Sequence, residues 1–213
     1  MVAPLAVRAD LGRSQALVSV PPAPPLLLAS TSPQRRAILE QLGIPFELAV
    51  PDYEEHDPPD ADPLELVRDH AAGKARSVGE PDERPVLGVD TAVHLDGRVF
   101  GKPGGPAEAE EMLDALGGHT HEVVSGLCVR TPGWEVVEHE VTRVTFRALD
   151  ARDLGAYIGT REWEGRAGAY AIQGRGAALV ERIDGDYLNV VGLPAALLVR
   201  LLSERFAGVY GFG

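Results

Sequence analysis

The chain has 213 residues, 45% hydrophobic and 24% charged, which suits one globular domain or two closely joined lobes. A formal charge of −12 argues against nucleic acid polymers and anionic membranes as partners, so a small phosphorylated ligand would need a local cluster of Lys and Arg, with a divalent metal, to override the global field. A single cysteine, Cys128, excludes an intrachain disulfide framework and a Cys-based zinc site, and no apolar run approaches the roughly 20 residues of a membrane helix.

Residues 1–25 mix Arg8, Asp10 and Arg13 with short apolar pieces and end in PPAPP, which reads as a loose extension rather than a signal peptide. Leu26 then opens an apolar strand that runs into Ser30, Thr31, Ser32 and Pro33. Ser32 can N-cap a helix, Pro33 fits its first position, and Gly43 stands where a left-handed stop belongs. Arg35 and Arg36 in the first turn reverse the usual preference for acids there. Either an external anion compensates, or this is an ordinary strand-to-helix turn with solvated arginines.

A short strand is expected over residues 46–50, followed by an acidic, proline-rich loop that holds Glu54, Glu55 and His56. The next helix opens at Asp62, with Pro63 and Glu65 as first-turn signals. Its apolar stripe runs through Val67, Ala71 and Val78, and Lys74 falls on that stripe, where it must snorkel or meet an anion.

Residues 86–102, VLGVDTAVHLDGRVFGK, read as two strands joined by Asp96-Gly97, a strong hairpin signal. Pairing outward from that turn sets Leu95 opposite Arg98 and Thr91 opposite Lys102, with Asp90 one residue further on. An acid inside an apolar strand is costly unless paired or metal-bound, so Asp90 is either a metal or catalytic carboxylate or half of a buried ion pair with Lys102.

A helix is expected over residues 107–116, stopping at Gly117-Gly118. Strands over residues 121–129 and 136–147 flank the turn Thr131-Pro132-Gly133, and the first carries Cys128, which reads as a buried small hydrophobe. Asp150 caps a short helix through Ile158. Residues 167–194 then supply a glycine-rich loop, a strand, an Asp184-Gly185 turn, a second strand and the entry to a last helix ending near Arg205. Gly174 and Gly176 lack the rest of a dinucleotide fingerprint, GKPGG at Gly101 is no P-loop, and the six histidines show no HExxH spacing.

Separate segments thus supply Arg35, Glu55, Lys74, Asp90 and Lys102, three cations and two carboxylates, without a nucleophilic Ser or Cys in a recognised setting. That inventory fits metal-assisted attack of water on a phosphoanhydride.

The segments LASTSPQRRAILEQLGIPFE, YEEHD, GKARS, GVDTAVHLDGRVFGKP, GGHTHEVVSGL, VTFRAL and AGAYAIQGRGAALVERIDGDYLNVVGLP stand in one order from Leu26 to about Leu202. In these the chain resembles the Maf family of nucleoside triphosphate pyrophosphatases. The resemblance implies an α/β, inosine-triphosphatase-like fold: an elongated mixed sheet flanked by helices, two lobes and a central cleft. It implies a single domain over residues 26–206 with a tail over 207–213, a cytoplasmic location, Mg²⁺ or Mn²⁺ as cofactor, and hydrolysis between the α and β phosphates; a homodimer is the assembly considered.

Carried over position by position, the resemblance makes Ser30, Arg35, Lys74 and Lys102 phosphate-site residues, Glu55 a metal-site acid, and Asp90 the general base, near the metal too. Thr91 and Gln173 match the dTTP/UTP branch rather than the branch acting on 7-methyl-GTP. Two positions depart. Gln34 stands at a specificity position where the dTTP/UTP branch typically has Arg and the other branch Trp, and Gly105 stands where many relatives have Asp. The functional readings are a dTTP/UTP pyrophosphatase that also clears modified nucleotides, a 7-methyl-GTP pyrophosphatase, or a nucleotide-responsive regulator of septum formation.

Overall fold

A computed structural model describes residues 23–58, 61–80 and 84–212, so most of the extension expected over residues 1–25 lies outside the described residues. Strand β1 (Leu26–Ala29) leads into α1 (Pro33–Leu42), capped by Ser32 and closed by Gly43 at φ 67, as the sequence signals require. After β2 (Phe46–Ala49), Asp62 caps α2 (Pro63–Ser77) by accepting from the amides of Leu64 and Glu65. The hairpin of β3 (Val86–Leu95) and β4 (Arg98–Phe100) turns at Asp96-Gly97, both at positive φ. Then come α3 (Pro106–Leu116), β5 (Thr120–Arg130), β6 (Glu135–Phe146) and α4 (Ala151–Ile158). Two short 3₁₀ turns, β7 (Val180–Asp184), α5 (Tyr187–Val191) and α6 (Ala195–Phe206) complete the described chain. Among the described residues no helix is long and apolar enough to cross a membrane.

The strands form one mixed sheet in the order β2-β1-β3-β5-β6-β7, with β4 added beside β3. Its register makes the cleft. Leu27, Leu28 and Ala29 of β1 pair with Val86, Leu87 and Gly88, while β4 pairs with Val93, His94 and Leu95. The other edge of β3 is filled throughout by β5, so β1 and β4 share one edge. Between them on that edge Val89, Asp90, Thr91 and Ala92 have no strand partner. Two apolar cores lie on either side of this gap: one of β1, α1, α6 and the early part of β3, the other of α3, α4, Val93, Val123 and Phe146. They are the two lobes, and the long strands β3 and β5 run through both.

Two glycines let α2 lie directly on the sheet. A Cβ at Gly88 would stand 2.1 Å from the Ala71 carbonyl oxygen, and one at Gly126 would stand 2.0 Å from that of Val67. Gly126 pairs with Asp90 in the β5 register, so the helix crosses the same face that Asp90 projects from.

Two expectations are corrected. β4 ends at Phe100, so Lys102 is not paired with Thr91; the β5 partner of Thr91 is Ser125, and Lys102 is exposed in the segment beyond the ribbon. The apolar run after Asp184-Gly185 is helix α5 rather than a strand. Asp186 decides it, its carboxylate accepting from Leu188 N at 2.8 Å and from Ala196 N at 3.1 Å, so that one side chain caps both α5 and α6. The fully buried Asn189 holds α5 to the sheet by donating to Val123 O and Thr142 Oγ1. Cys128 is buried, as expected, and burial pushes its thiol up to about 12.

In the second core His121 is fully buried among Phe146 and Tyr170, with Nε2 3.0 Å from the Tyr170 hydroxyl and no partner for Nδ1 among the described residues. Burial pushes its pKa down to about 4. The unfolded chain therefore takes up this proton first as pH falls, so the stability it contributes is intact above about pH 6.5 and is lost as pH drops towards 4. Urea unfolding at pH 7 and pH 5 should show the wild type losing about 2 kcal/mol more than His121→Gln over that interval. Equal losses in the two proteins would mean that His121 is not the titrating group.

Candidate active site

The free stretch of β3 is bordered by the chain leaving β1, the start of α1, the loop after β2, helix α2 and the end of α5. Ser30, just beyond β1, is buried and accepts from Ser32 N at 3.1 Å. Arg35, in the first turn of α1, reaches back across the gap. Its Nε donates to Gly192 O at 2.9 Å, Nη1 to Ser30 Oγ at 3.2 Å and Nη2 to Thr91 Oγ1 at 3.3 Å. One planar guanidinium thus ties the ends of β1 and α5 to the open edge of β3. Burial lowers its pKa, against the raising effect of Asp90 and Glu55, yet an arginine remains charged. Arg36 is exposed and pairs with Glu40 at 3.9 Å.

On the other face of β3, α2 presents Lys74, which is 8% exposed. Its Nζ stands 2.5 Å from both Asp90 Oδ1 and Glu55 Oε1. Asp90 therefore has a buried ion-pair partner, but it is Lys74 and not Lys102. The reason is the close seat of α2 on Gly88 and Gly126, which carries the lysine into the gap while Lys102 stays beyond the hairpin. Burial opposes ionisation of Asp90, but a hydrogen bond from His70 and the charges of Lys74 and Arg35 outweigh it and hold the carboxyl well below the usual range. Among the described residues the ligand atoms of Glu55, His70 and Asp90 lie within 4.8 Å of one another. The Lys74 ammonium already shows that both carboxylates of this set close around a cation, so the donor set fits a divalent ion.

Ser30, Arg35, Glu55, Lys74 and Thr91 line a cleft of about 630 Å³, within the range of small-ligand sites, and Asp90 is joined to it through Lys74. Gln34, Lys102 and Gln173 line it as well, Lys102 and Gln173 with exposed side chains. Gln34 accepts from Ser32 Oγ at 3.2 Å. The Thr91 hydroxyl is taken up by Arg35, by Ser125 Oγ at 2.9 Å and by Gly192 O at 3.4 Å. Apart from Asp90, which meets the cleft through Lys74, the candidate residues named from the sequence all line it.

Two neighbours were not singled out from the sequence. His70 shares the α2 stripe with Lys74, four residues earlier, and its one signal was that spacing. Arg166 lines the far wall, its Nε buried without a hydrogen-bond partner among the described residues; nothing in EGRAG distinguishes it from a solvated arginine.

Residues 25–205 match the family described as Maf-like protein. The chain is 47% identical over 180 residues to the dTTP/UTP pyrophosphatase of Symbiobacterium thermophilum, covering 84% of this chain and 93% of that protein. It is 48% identical over 182 residues to the dTTP/UTP pyrophosphatase of Gloeobacter violaceus, covering 84% and 95%. Among solved structures it is similar to a HAM1 protein from Coxiella burnetii, with a TM-score of 0.40 at 19% identity over 58% of this chain and 73% of that one.

Proposed function

The chain belongs to the Maf-like protein family, and from that premise we propose that it is a nucleoside triphosphate pyrophosphatase, cleaving between the α and β phosphates with dTTP and UTP preferred. The observation that carries the reading is the convergence of Arg35, Lys74, Glu55 and Asp90 on the open edge of β3, with Lys74 in contact with both carboxylates and Arg35 bonded to Thr91 beside a nucleotide-sized cleft. The relatives named above bear the same activity in their names.

In this mechanism Arg35 commits three of its five N–H groups to Gly192, Ser30 and Thr91, and turns the others to phosphate oxygens. Ser30 and Thr91 act by holding that guanidinium, and Lys102 approaches the triphosphate from the hairpin side. A divalent ion bound by Glu55 and Asp90 would supply charge neutralisation and a more acidic water. Lys74 exchanges its carboxylate partners for a phosphate oxygen. That move matters for Asp90, because it takes away the donor held at Oδ1 when substrate arrives. Oδ1 is then free to take the proton of the attacking water.

Base choice falls to the side chains at the cleft wall, Gln34 and Gln173. A neutral, flexible Gln34 should relax selection relative to an arginine, so CTP or modified pyrimidine nucleotides should be secondary substrates and Gln34→Arg should narrow the range. Purified protein with Mg²⁺ or Mn²⁺ should release diphosphate and a nucleoside monophosphate, fastest from dTTP and UTP. Orthophosphate as the main product would sink the regiochemistry. A preference of tenfold or so for 7-methyl-GTP, about 1.4 kcal/mol, would overturn the base assignment alone.

A further inference from the structure

His70 is 3% exposed and has oxygen on both sides of its ring. Nε2 stands 3.4 Å from the His56 carbonyl oxygen and 3.4 Å from Asp57 Oδ1, and Nδ1 stands 3.5 Å from Asp90 Oδ2. A neutral imidazole has one N–H and one lone pair. With the hydrogen on Nε2, where two acceptors wait, the Nδ1 lone pair faces a carboxylate oxygen across a gap. Two lone pairs so placed repel each other, so the gap holds either a second ring proton, which gives the hydrogen bond to Asp90 described above, or a cation.

At 3.5 Å the gap is slightly wider than a metal-ligand edge and closes to one with a small side-chain shift. For bonds of about 2.1 Å, adjacent ligand atoms on a tetrahedral or octahedral ion are about 3.0 to 3.4 Å apart. The arrangement behind the ring also matches, because a histidine that binds metal through one nitrogen usually donates its other N–H to a carbonyl or carboxylate, which fixes the tautomer. Asp90 divides its oxygens accordingly, Oδ2 towards His70 and Oδ1 towards Lys74. Glu55 completes the set within 4.8 Å.

We propose that His70 supplies a nitrogen ligand, through Nδ1, to the divalent cation held by Glu55 and Asp90, so that this site favours transition ions, Co²⁺ more strongly than Mn²⁺, over Mg²⁺. Imidazole raises affinity for these ions, while Mg²⁺ prefers an all-oxygen shell. The inference rests on the proposed reading of the cleft for the identity of the site, but not for its test.

The test is Mn²⁺ binding to the untagged full chain without nucleotide. Pulsed electron paramagnetic resonance of bound Mn²⁺ should show modulation from a directly coordinated ¹⁴N, converted to the ¹⁵N pattern when only the histidines are ¹⁵N-labelled. Calorimetric titration should show Mn²⁺ affinity falling about 10-fold or more in His70→Leu and His70→Gln, with Mg²⁺ affinity changed far less. A wild-type spectrum without nitrogen coupling overturns the proposal, whether or not the variants fold. So do folded variants that bind Mn²⁺ as tightly as the wild type, which would leave His70 as a doubly protonated donor to Asp90. The products that the wild type releases with Mg²⁺ decide the pyrophosphatase reading separately, so the failure of either is distinguishable from the failure of the other.

Discussion

Asp90→Asn should lower turnover by at least about 100-fold, the lower range for loss of general-base assistance, while the protein remains folded. Asparagine keeps the shape and can still accept from Lys74 at Oδ1 and make a hydrogen bond on the His70 side. What it cannot do is take a proton from water. The structure sharpens the expectation, because the variant also leaves Lys74 with one carboxylate, Glu55, instead of two. Substrate affinity should therefore hold or improve as kcat falls, since Lys74 is less firmly held away from phosphate. Single-turnover kinetics with dTTP and circular dichroism of the same sample separate the two effects. An unfolded variant whose residual native fraction keeps full specific activity would make Asp90 only half of a structural ion pair.

Lys74→Met should cost 100- to 1,000-fold in kcat/KM, the range for removing one positioned charge from a site of developing negative charge. The same change should act in the opposite direction on the empty enzyme. With the ammonium gone, Glu55 and Asp90 face each other without a cation, and a divalent ion no longer competes with a lysine 2.5 Å from each carboxylate. Mn²⁺ should bind the nucleotide-free variant more tightly than the wild type while the variant turns over more slowly. A fall in both would show that Lys74 builds the ion site rather than competing for it. The two variants thus divide the cluster into a proton acceptor and a mobile cation, and neither result follows from a purely structural ion pair.

The residues of this cluster were legible one by one because each breaks a local rule. Arg35 puts a cation at the positive end of a helix, Lys74 sits on an apolar stripe, and Asp90 interrupts a buried strand. Helix caps were equally legible, since Ser32, Asp62 and Asp150 act through backbone amides two or three residues away. Likewise the Asp96-Gly97 turn, whose positive φ values belong to those two residues alone.

Partnership was decided elsewhere. Local pairing along the hairpin pointed to Lys102 as the neighbour of Asp90, yet β4 is only three residues long and β1 occupies the same edge of β3, so the ribbon never extends that far. Lys74 and His70 reach Asp90 because Gly88 and Gly126, from different strands, leave no side chain between α2 and the sheet. Residues 187–191 read as a strand by composition and fold as a helix because Asp186 caps it and Asn189 is drawn into a buried contact with β5 and β6. Propensities, caps and turns are interactions within a few residues of chain, and so the order of letters is sufficient to set them. Which acid meets which base depends on strand register and on how near two elements can approach, quantities that exist only once distant segments have packed.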